Sequence, residues 1–230
     1  MLTFASTFLL LIWIGLYVFS SQTRREQIIM SIVGLILTPG AFVLILSNTN
    51  GNASIELSAT VEPFLFAICL FGIAAVGYQA TLSPYLTEKK PSKARKPLSL
   101  GHWLGHLLII LSVWILIGIF GYLILREPPI QAMALGGVLV GTYIIADRKD
   151  LLWNSLTSGL LIATLVFGVE QWLGAILLPA TALAGRTGII LGGIPIEELV
   201  WAAVVGFAVG PLYEYIRHER LILRTRYARP

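Results

Sequence analysis

This chain reads as an all-α integral membrane protein, one membrane domain over residues 1–230 with seven transmembrane helices and a parallel internal repeat. Three observations carry that reading. Hydrophobic residues make up 57% of the chain and charged residues only 12%, about half the charged share of an average soluble domain. Apolar runs long enough to cross about 30 Å of hydrocarbon fall at roughly 2–20, 27–46, 59–79, 102–125, 130–146, 151–178 and 189–216. Finally, spans two and three share a sequence pattern with spans six and seven.

The first run opens on Met1-Leu2-Thr3-Phe4, with neither a basic leader nor an obvious small-residue cleavage site, so it reads as a span rather than a signal peptide. Span three contains the single cysteine, Cys69, a small buried hydrophobe by its surroundings; one cysteine excludes an internal disulfide and forms no zinc pattern. Between spans three and four lies the one substantial linker, 82–101. Its centre, Glu88-Lys89-Lys90-Pro91-Ser92-Lys93-Ala94-Arg95-Lys96-Pro97, suits a flexible, solvated strip against anionic lipid heads. The basic tail, 217–230, receives the same reading.

Sidedness follows from the basic residues. With seven spans, fourteen of the sixteen Lys and Arg fall on one side: Arg24, Arg25, Lys89, Lys90, Lys93, Arg95, Lys96, Arg148, Lys149, Arg217, Arg220, Arg224, Arg226 and Arg229. Only Arg126 and Arg186 fall on the other. The positive-inside rule then puts the N-terminus outside and the tail in the cytoplasm. The net charge of +4 is a matter of topology and gives no reason to invoke nucleic acid.

The repeat units run over about 24–86 and 148–217. Val61-Glu62-Pro63-Phe64-Leu65-Phe66, opening span three, matches Ile196-Glu197-Glu198-Leu199-Val200-Trp201, opening span seven, at an offset of 135. That offset carries Tyr78 onto Tyr213 and Gln79 onto Glu214 without a gap. Upstream, Arg24-Arg25-Glu26 parallels Arg148-Lys149-Asp150. Repeats of this kind commonly place a site between the two halves.

Acidic residues within the spans mark the candidate site. One carboxylate near a bilayer centre costs at least about 2.5 kcal/mol, so the adjacent Glu197 and Glu198 should face protein or a wet cavity. Glu62 and Glu170 are expected at the same level, giving four carboxyls able to share protons; Glu170, beside Gln171 and Trp172, also fits an interface belt. Two alternatives stay open for the pair. A helix starting at Pro195 makes Glu197 and Glu198 shallow first-turn residues complementing the dipole. One starting near Gly188 buries them about 13 Å along its length.

Tyr213 and Glu214 stand about 24 Å further along span seven, where Glu214 is expected to pair with Arg217 or His218. His102 and His106, four apart on span four, read as interfacial; the run His-Trp-Leu-Gly-His lacks a metalloprotease Glu, and no metal is called for. No phosphate-binding glycine loop is present, and no Ser-His-Asp order suggests a triad.

Pro195-Ile196-Glu197-Glu198-Leu199 resembles the Pro-x-Glu-Glu motif of the flavin-independent, heterodimer-type lycopene cyclase family, including its fused single-chain members. The likeness continues to Leu212-Tyr213-Glu214 and is fainter over 24–86. The chain departs from the family pattern at Pro63, at Trp201 and over Asp150-Leu151-Leu152-Trp153-Asn154. The resemblance implies two fused homologous units and an isomerase-type ring closure in carotenoid biosynthesis. Glu197, Glu198, Glu62 and Glu170 would act as acids and bases. Pro195, Trp201, Phe64 and Phe66 would contact a lipid-soluble carotenoid, without net redox change and without a cofactor. Membrane lipids are the other expected partner, and a homo-oligomer stays open.

A transporter using the carboxylates, or a non-catalytic scaffold of the same fold, are the competing readings. A prenyl-protein-type membrane protease would require Arg where Ala202 stands. The basic asymmetry yields a direct test of topology. A reporter fused after Pro230 is expected to read cytoplasmic, and one inserted between Asn48 and Asn52 external; reversal of either overturns the seven-span arrangement.

Overall fold

Glycine and proline decide where this chain's helices start, stop and approach one another. The computed structural model describes residues 2–47, 61–81, 87–90, 100–173, 188–217 and 220–223, with side chains described over 6–38, 64–81, 101–172 and 188–217. Its helices are α1 (Leu2–Phe19), α2 (Arg24–Ser47), α3 (Val61–Thr81), α4 (Leu100–Leu123), α5 (Pro129–Asp147), α6 (Leu152–Leu173), α7 (Ile196–Val209) and α8 (Leu212–Arg217). A 3₁₀ turn, Lys149–Leu151, leads into α6.

Five stretches among the described residues are long and apolar enough to cross a membrane: Phe64–Thr81, Gly101–Leu123, Pro129–Asp147, Lys149–Trp172 and Ile196–Arg217. A shorter apolar helix covers Ser6–Phe19. The described residues are mostly helical, and their apolar helices are compatible with an integral membrane protein.

Packing gives the helices unequal roles. The stretch through α7 and α8 has 72% of its window buried and α3 has 61%, whereas α4 has 28%. α3 and α7 are therefore the core, and α4 lies at the periphery with Leu108, Ile109, Leu116 and Phe120 exposed. α3 packs on α1, α2, α6 and α7; α7 packs on α5, α6 and α3.

Close approach depends on missing side chains, as usual where helices associate without a hydrophobic drive from water. Gly206 and Gly210, four apart on α7, lie against Ser158 and Gly159 of α6. A Cβ on Gly206 would collide with the Ser158 carbonyl and sit 2.8 Å from the Gly159 Cα. On the first half, a Cβ at Gly34 would lie 2.7 Å from the Ala67 carbonyl. Nearby, the Trp13 indole donates to Ser31 Oγ at 2.9 Å and the Gln27 amide to the Trp13 carbonyl at 2.8 Å, tying α1 to α2.

Two expectations need correction. Span seven does not begin as a helix at 189. Residues 190–195 form a hairpin, strand β2 (Ile190–Leu191) against strand β3 (Ile194–Pro195), which the Ile196 N–H closes onto the Ile189 carbonyl at 3.0 Å. Its two turn glycines have φ of +61° at Gly192 and +90° at Gly193, the backbone that a two-residue hairpin needs and a helix does not offer.

The linker and tail, expected as flexible strips, contribute paired strands: β1 (Thr87–Lys90) runs antiparallel to β4 (Arg220–Leu223). Backbone pairing satisfies polar groups that composition alone leaves unassigned. The remainder of the linker, residues 174–187 after α6, and the tail beyond 223 lie outside the described residues.

Close packing at Gly206 makes a test. Gly206→Ala is expected to destabilise the bundle by about 1–3 kcal/mol, the usual cost of overpacking. Gly15→Ala, where a Cβ meets nothing within 4 Å, should leave it unchanged. Thermal unfolding of the two purified variants in one detergent distinguishes them, and equal midpoints would refute the close contact.

Candidate functional site

Pro195 sets the start of α7. It is extended, with φ −60° and ψ 134°, and directly precedes the first helical residue, Ile196. Glu197 and Glu198 therefore occupy the first turn, where free amides and the positive end of the dipole favour acidic groups. Of the two sequence alternatives, the start at Pro195 holds. Burial differs within the pair: Glu197 is half-buried, with its Oε2 enclosed, and Glu198 is 0% exposed. A first-turn position here does not mean access to water.

The hairpin before α7 is held from α6. Gln171, near the end of α6, donates its side-chain amide to the Gly192 carbonyl. A Cβ on Gly192 would come within 2.7 Å of that amide and 3.3 Å of the Phe167 ring, so glycine is required twice over, by φ and by space. The end of α6 is thus tied to the entry of α7. Glu170, adjacent to Gln171, is buried at 2% exposure, whereas Trp172 is 72% exposed and tilts against Phe8 with ring centroids 5.4 Å apart. Trp172 lies on the outside of the bundle, and Glu170 is an interior residue.

An aromatic pair lies close to the acidic turn. The Phe66 and Trp201 rings stack with centroids 6.4 Å apart and planes at 17°. Phe66 is buried, Trp201 and Phe64 are half-buried, and Pro195 is buried. Glu62 is on the first turn of α3, but its side chain lies outside those described.

A second polar cluster occupies the opposite end of α3 and α7, and sequence reasoning did not single it out. The Gln79 amide nitrogen donates to Glu26 Oε1 at 2.9 Å and also to Glu214 Oε1. All three residues are buried, Glu214 at 0% and Glu26 at 2% exposure. One side-chain amide thereby joins α2, α3 and α8. Glu214, expected to pair within its own helix, has a partner on α3; His218 lies outside the described residues.

Asn154 of α6 supports the same region by donating to the Gly210 carbonyl at 3.3 Å, where Pro211 interrupts the helical hydrogen-bond pattern. Ser158 Oγ in turn donates to Asn154 Oδ1 at 3.0 Å. Nearby, Arg148 makes two hydrogen bonds to Asp150, at 2.8 and 2.7 Å. Those bonds chiefly hold the guanidinium pKa above its usual value, with burial opposing. The carboxylate charges of Asp150, Asp147 and Glu214 act in the same direction as the bonds.

Both inter-helix contacts join residues related by the offset of 135 noted in the sequence: Phe66 with Trp201, and Gln79 with Glu214. The two positions are thirteen apart both on α3 and along α7 into α8, so α3 runs parallel to and in register with α7–α8 for about 20 Å. The backbone of Glu62 accordingly stands at the same end as Glu197 and Glu198. Matched polar residues at one membrane level were the available clue to the second cluster; their alignment had been read as equivalence rather than contact.

His102 and His106 stack edge to face on α4, 4.4 Å between centroids. Among the described residues no three His, Cys, Asp or Glu side chains converge as a metal site. Comparison of this chain with family models, with characterised proteins and with solved structures returns no match. Geometry and sequence pattern are what the site must be read from.

The shared amide makes a prediction in two parts. Glu26→Leu and Glu214→Leu should each destabilise the bundle by about 1–3 kcal/mol, since each leaves part of a buried amide unsatisfied. Because both acceptors serve one nitrogen, the double variant should lose less than the sum. Strict additivity in denaturant unfolding would show that Gln79 does not couple them.

Proposed function

We propose that this protein is a membrane-embedded acid–base catalyst of the lycopene cyclase type, closing an end-group ring on a linear carotene without net redox change. The observation that carries the reading is the acidic turn itself. Glu198 is wholly buried beside a half-buried Glu197, on a helix start anchored by Pro195 and the Gly192–Gly193 hairpin. Buried Glu170 stands on the helix tied to that hairpin.

Glu198, shielded from water, is the proton donor to the terminal C=C bond. The π electrons take up the proton, and the resulting carbocation is attacked by a second C=C bond, which forms the ring's new C–C bond. A carboxylate then removes a proton from a neighbouring carbon and restores a double bond. Glu197, in partial contact with solvent, is suited to that base role and to re-equilibrating protons between turnovers. Glu62 and Glu170 complete the acidic set. Phe66 and Trp201 offer ring faces to the cation, with Phe64 and Pro195 shaping the apolar approach; a C40 hydrocarbon reaches such a place only through lipid.

The two-unit architecture of the family is supported by the way the helices pack. α1 and α2 lie on α3 as α5 and α6 lie on α7, and residues at the 135 offset meet across the centre. We read residues of about 24–86 (α2–α3) and 148–217 (α6–α8) as fused homologous units. The full count is seven spans, with the N-terminus outside and the tail cytoplasmic. A second reading, a small transporter of protons or cations, rests on the separate buried cluster of Glu26, Gln79 and Glu214.

Pigment analysis of lycopene-producing cells tests the proposal. The unmodified chain should yield cyclic carotenes. Glu198→Gln or Glu197→Gln should lower ring formation by about 10²–10⁴-fold with normal membrane accumulation. Wild-type cyclisation by the double Gln variant would defeat the catalytic assignment. No cyclisation by the unmodified chain, with several linear carotenes offered, would favour transport or a scaffold.

A further inference from the structure

The sheet formed by β1 and β4 is the part of this molecule least able to stand alone. Its register sets Thr87 opposite Leu223, Glu88 opposite Ile222, Lys89 opposite Leu221 and Lys90 opposite Arg220. Two strands of four residues are marginal in water at best, and like charges directly opposite each other weaken a pair further. Lys90 against Arg220 is such a pairing. The compositions conflict as well: Arg-Leu-Ile-Leu on β4 is too apolar to be left in water, and Thr-Glu-Lys-Lys on β1 is too charged for a core.

Placement resolves the conflict. β4 follows the end of α8 after two residues and packs against the Lys149–Leu151 turn. That end of the bundle also carries exposed Arg24, Arg25, Lys149 and Arg217. The Glu26–Gln79–Glu214 contact fixes the start of α2, the end of α3 and α8 at this level. The sheet therefore sits where the spans leave the membrane, among cations drawn from widely separated stretches of chain.

One environment satisfies an apolar strand, a basic strand and a like-charged cross-strand pair together: the headgroup boundary of an anionic leaflet. We propose that the β1–β4 sheet is an interfacial clasp completed by anionic phospholipid, whose phosphates neutralise the Lys90–Arg220 pairing. Charge complementarity selects this occupant. The lipid couples the linker after the first three helices to the tail after the last, closing the basic end of the bundle. This goes beyond the cyclase reading and stands independently of it.

Cross-linking tests the clasp in the full chain. In a Cys69→Ala background, Thr87→Cys and Leu223→Cys occupy directly opposed positions without altering any charge. The protein is reconstituted into phosphatidylcholine vesicles, with or without phosphatidylglycerol, and disulfide formation is followed under a mild oxidant. Each basic residue near an anionic surface contributes roughly a fivefold factor, so cross-linking should be about five- to twentyfold faster in the anionic vesicles. High salt should suppress that advantage.

Adding Lys90→Gln and Arg220→Gln relieves the repulsion, and the neutral variant should cross-link equally in both vesicle types. Equal rates for the charged protein in both, or no cross-link in either, would overturn the clasp. So would a lipid preference that persists in the neutral variant. Equal promotion by inorganic phosphate in phosphatidylcholine alone would assign the effect to a free anion and reject the lipid.

Discussion

The in-register contact between α3 and α7 is the constraint on which the rest of the bundle depends. It is closed at one end by the Phe66–Trp201 stack and at the other by Gln79, whose amide serves acceptors on α2 and α8. In a medium without water, a buried amide with no acceptor is expensive, so the lower contact is directional in a way that apolar packing is not. Sliding α7 by one residue would turn Glu214 about 100° away from Gln79. The register that keeps this bond is also the register that sets the acidic turn of α7 level with the start of α3.

The acidic turn owes its character to the backbone before it. A helix running unbroken from Gly188 would carry Glu197 and Glu198 well inside its length and leave their orientation to its rotation. The Gly192–Gly193 turn instead folds the chain back, buries Ile194 and Pro195, and starts the helix abruptly at Ile196. The positive end of the helix dipole then lies at the carboxylates, which eases the burial of Glu198. The tie from Gln171 to the Gly192 carbonyl fixes this geometry from α6.

Helix positions could be read from the chain because hydrocarbon imposes a length and a composition, and α4 and α5 fall within two residues of the apolar runs at 102–125 and 130–146. Residues 189–195 were misassigned to a span because Ile189, Ile190, Leu191 and Ile194 are as apolar as a membrane helix; only φ at the two glycines separates hairpin from helix. The acidic pair was visible because charge in an apolar run is conspicuous. Glu26, Gln79 and Glu214 were harder, since each lies at a helix end where polar residues normally meet water. Their burial is a property of three helices meeting, which no local window contains. The close approaches at Gly34, Gly159 and Gly206 were equally hidden, because many glycines in the sequence face open space.

The separation of the two buried acidic clusters bears on mechanism. Between Glu198 and Glu214, α7 runs Leu199–Val209 without an ionisable side chain, a stretch of roughly 16 Å. Ala202, Val205, Ala208 and Val209 on that stretch are buried in the same apolar core as Cys69, Leu70 and Val76 of α3. A proton or cation path running along α7 would have to cross this apolar layer, which favours the proposed ring closure over transport. The proposed ring closure has no such requirement, since proton uptake and release would both take place at one end. The Glu26–Gln79–Glu214 bridge then serves to hold the register of the bundle, and the proposed chemistry falls to the acidic residues at the other end.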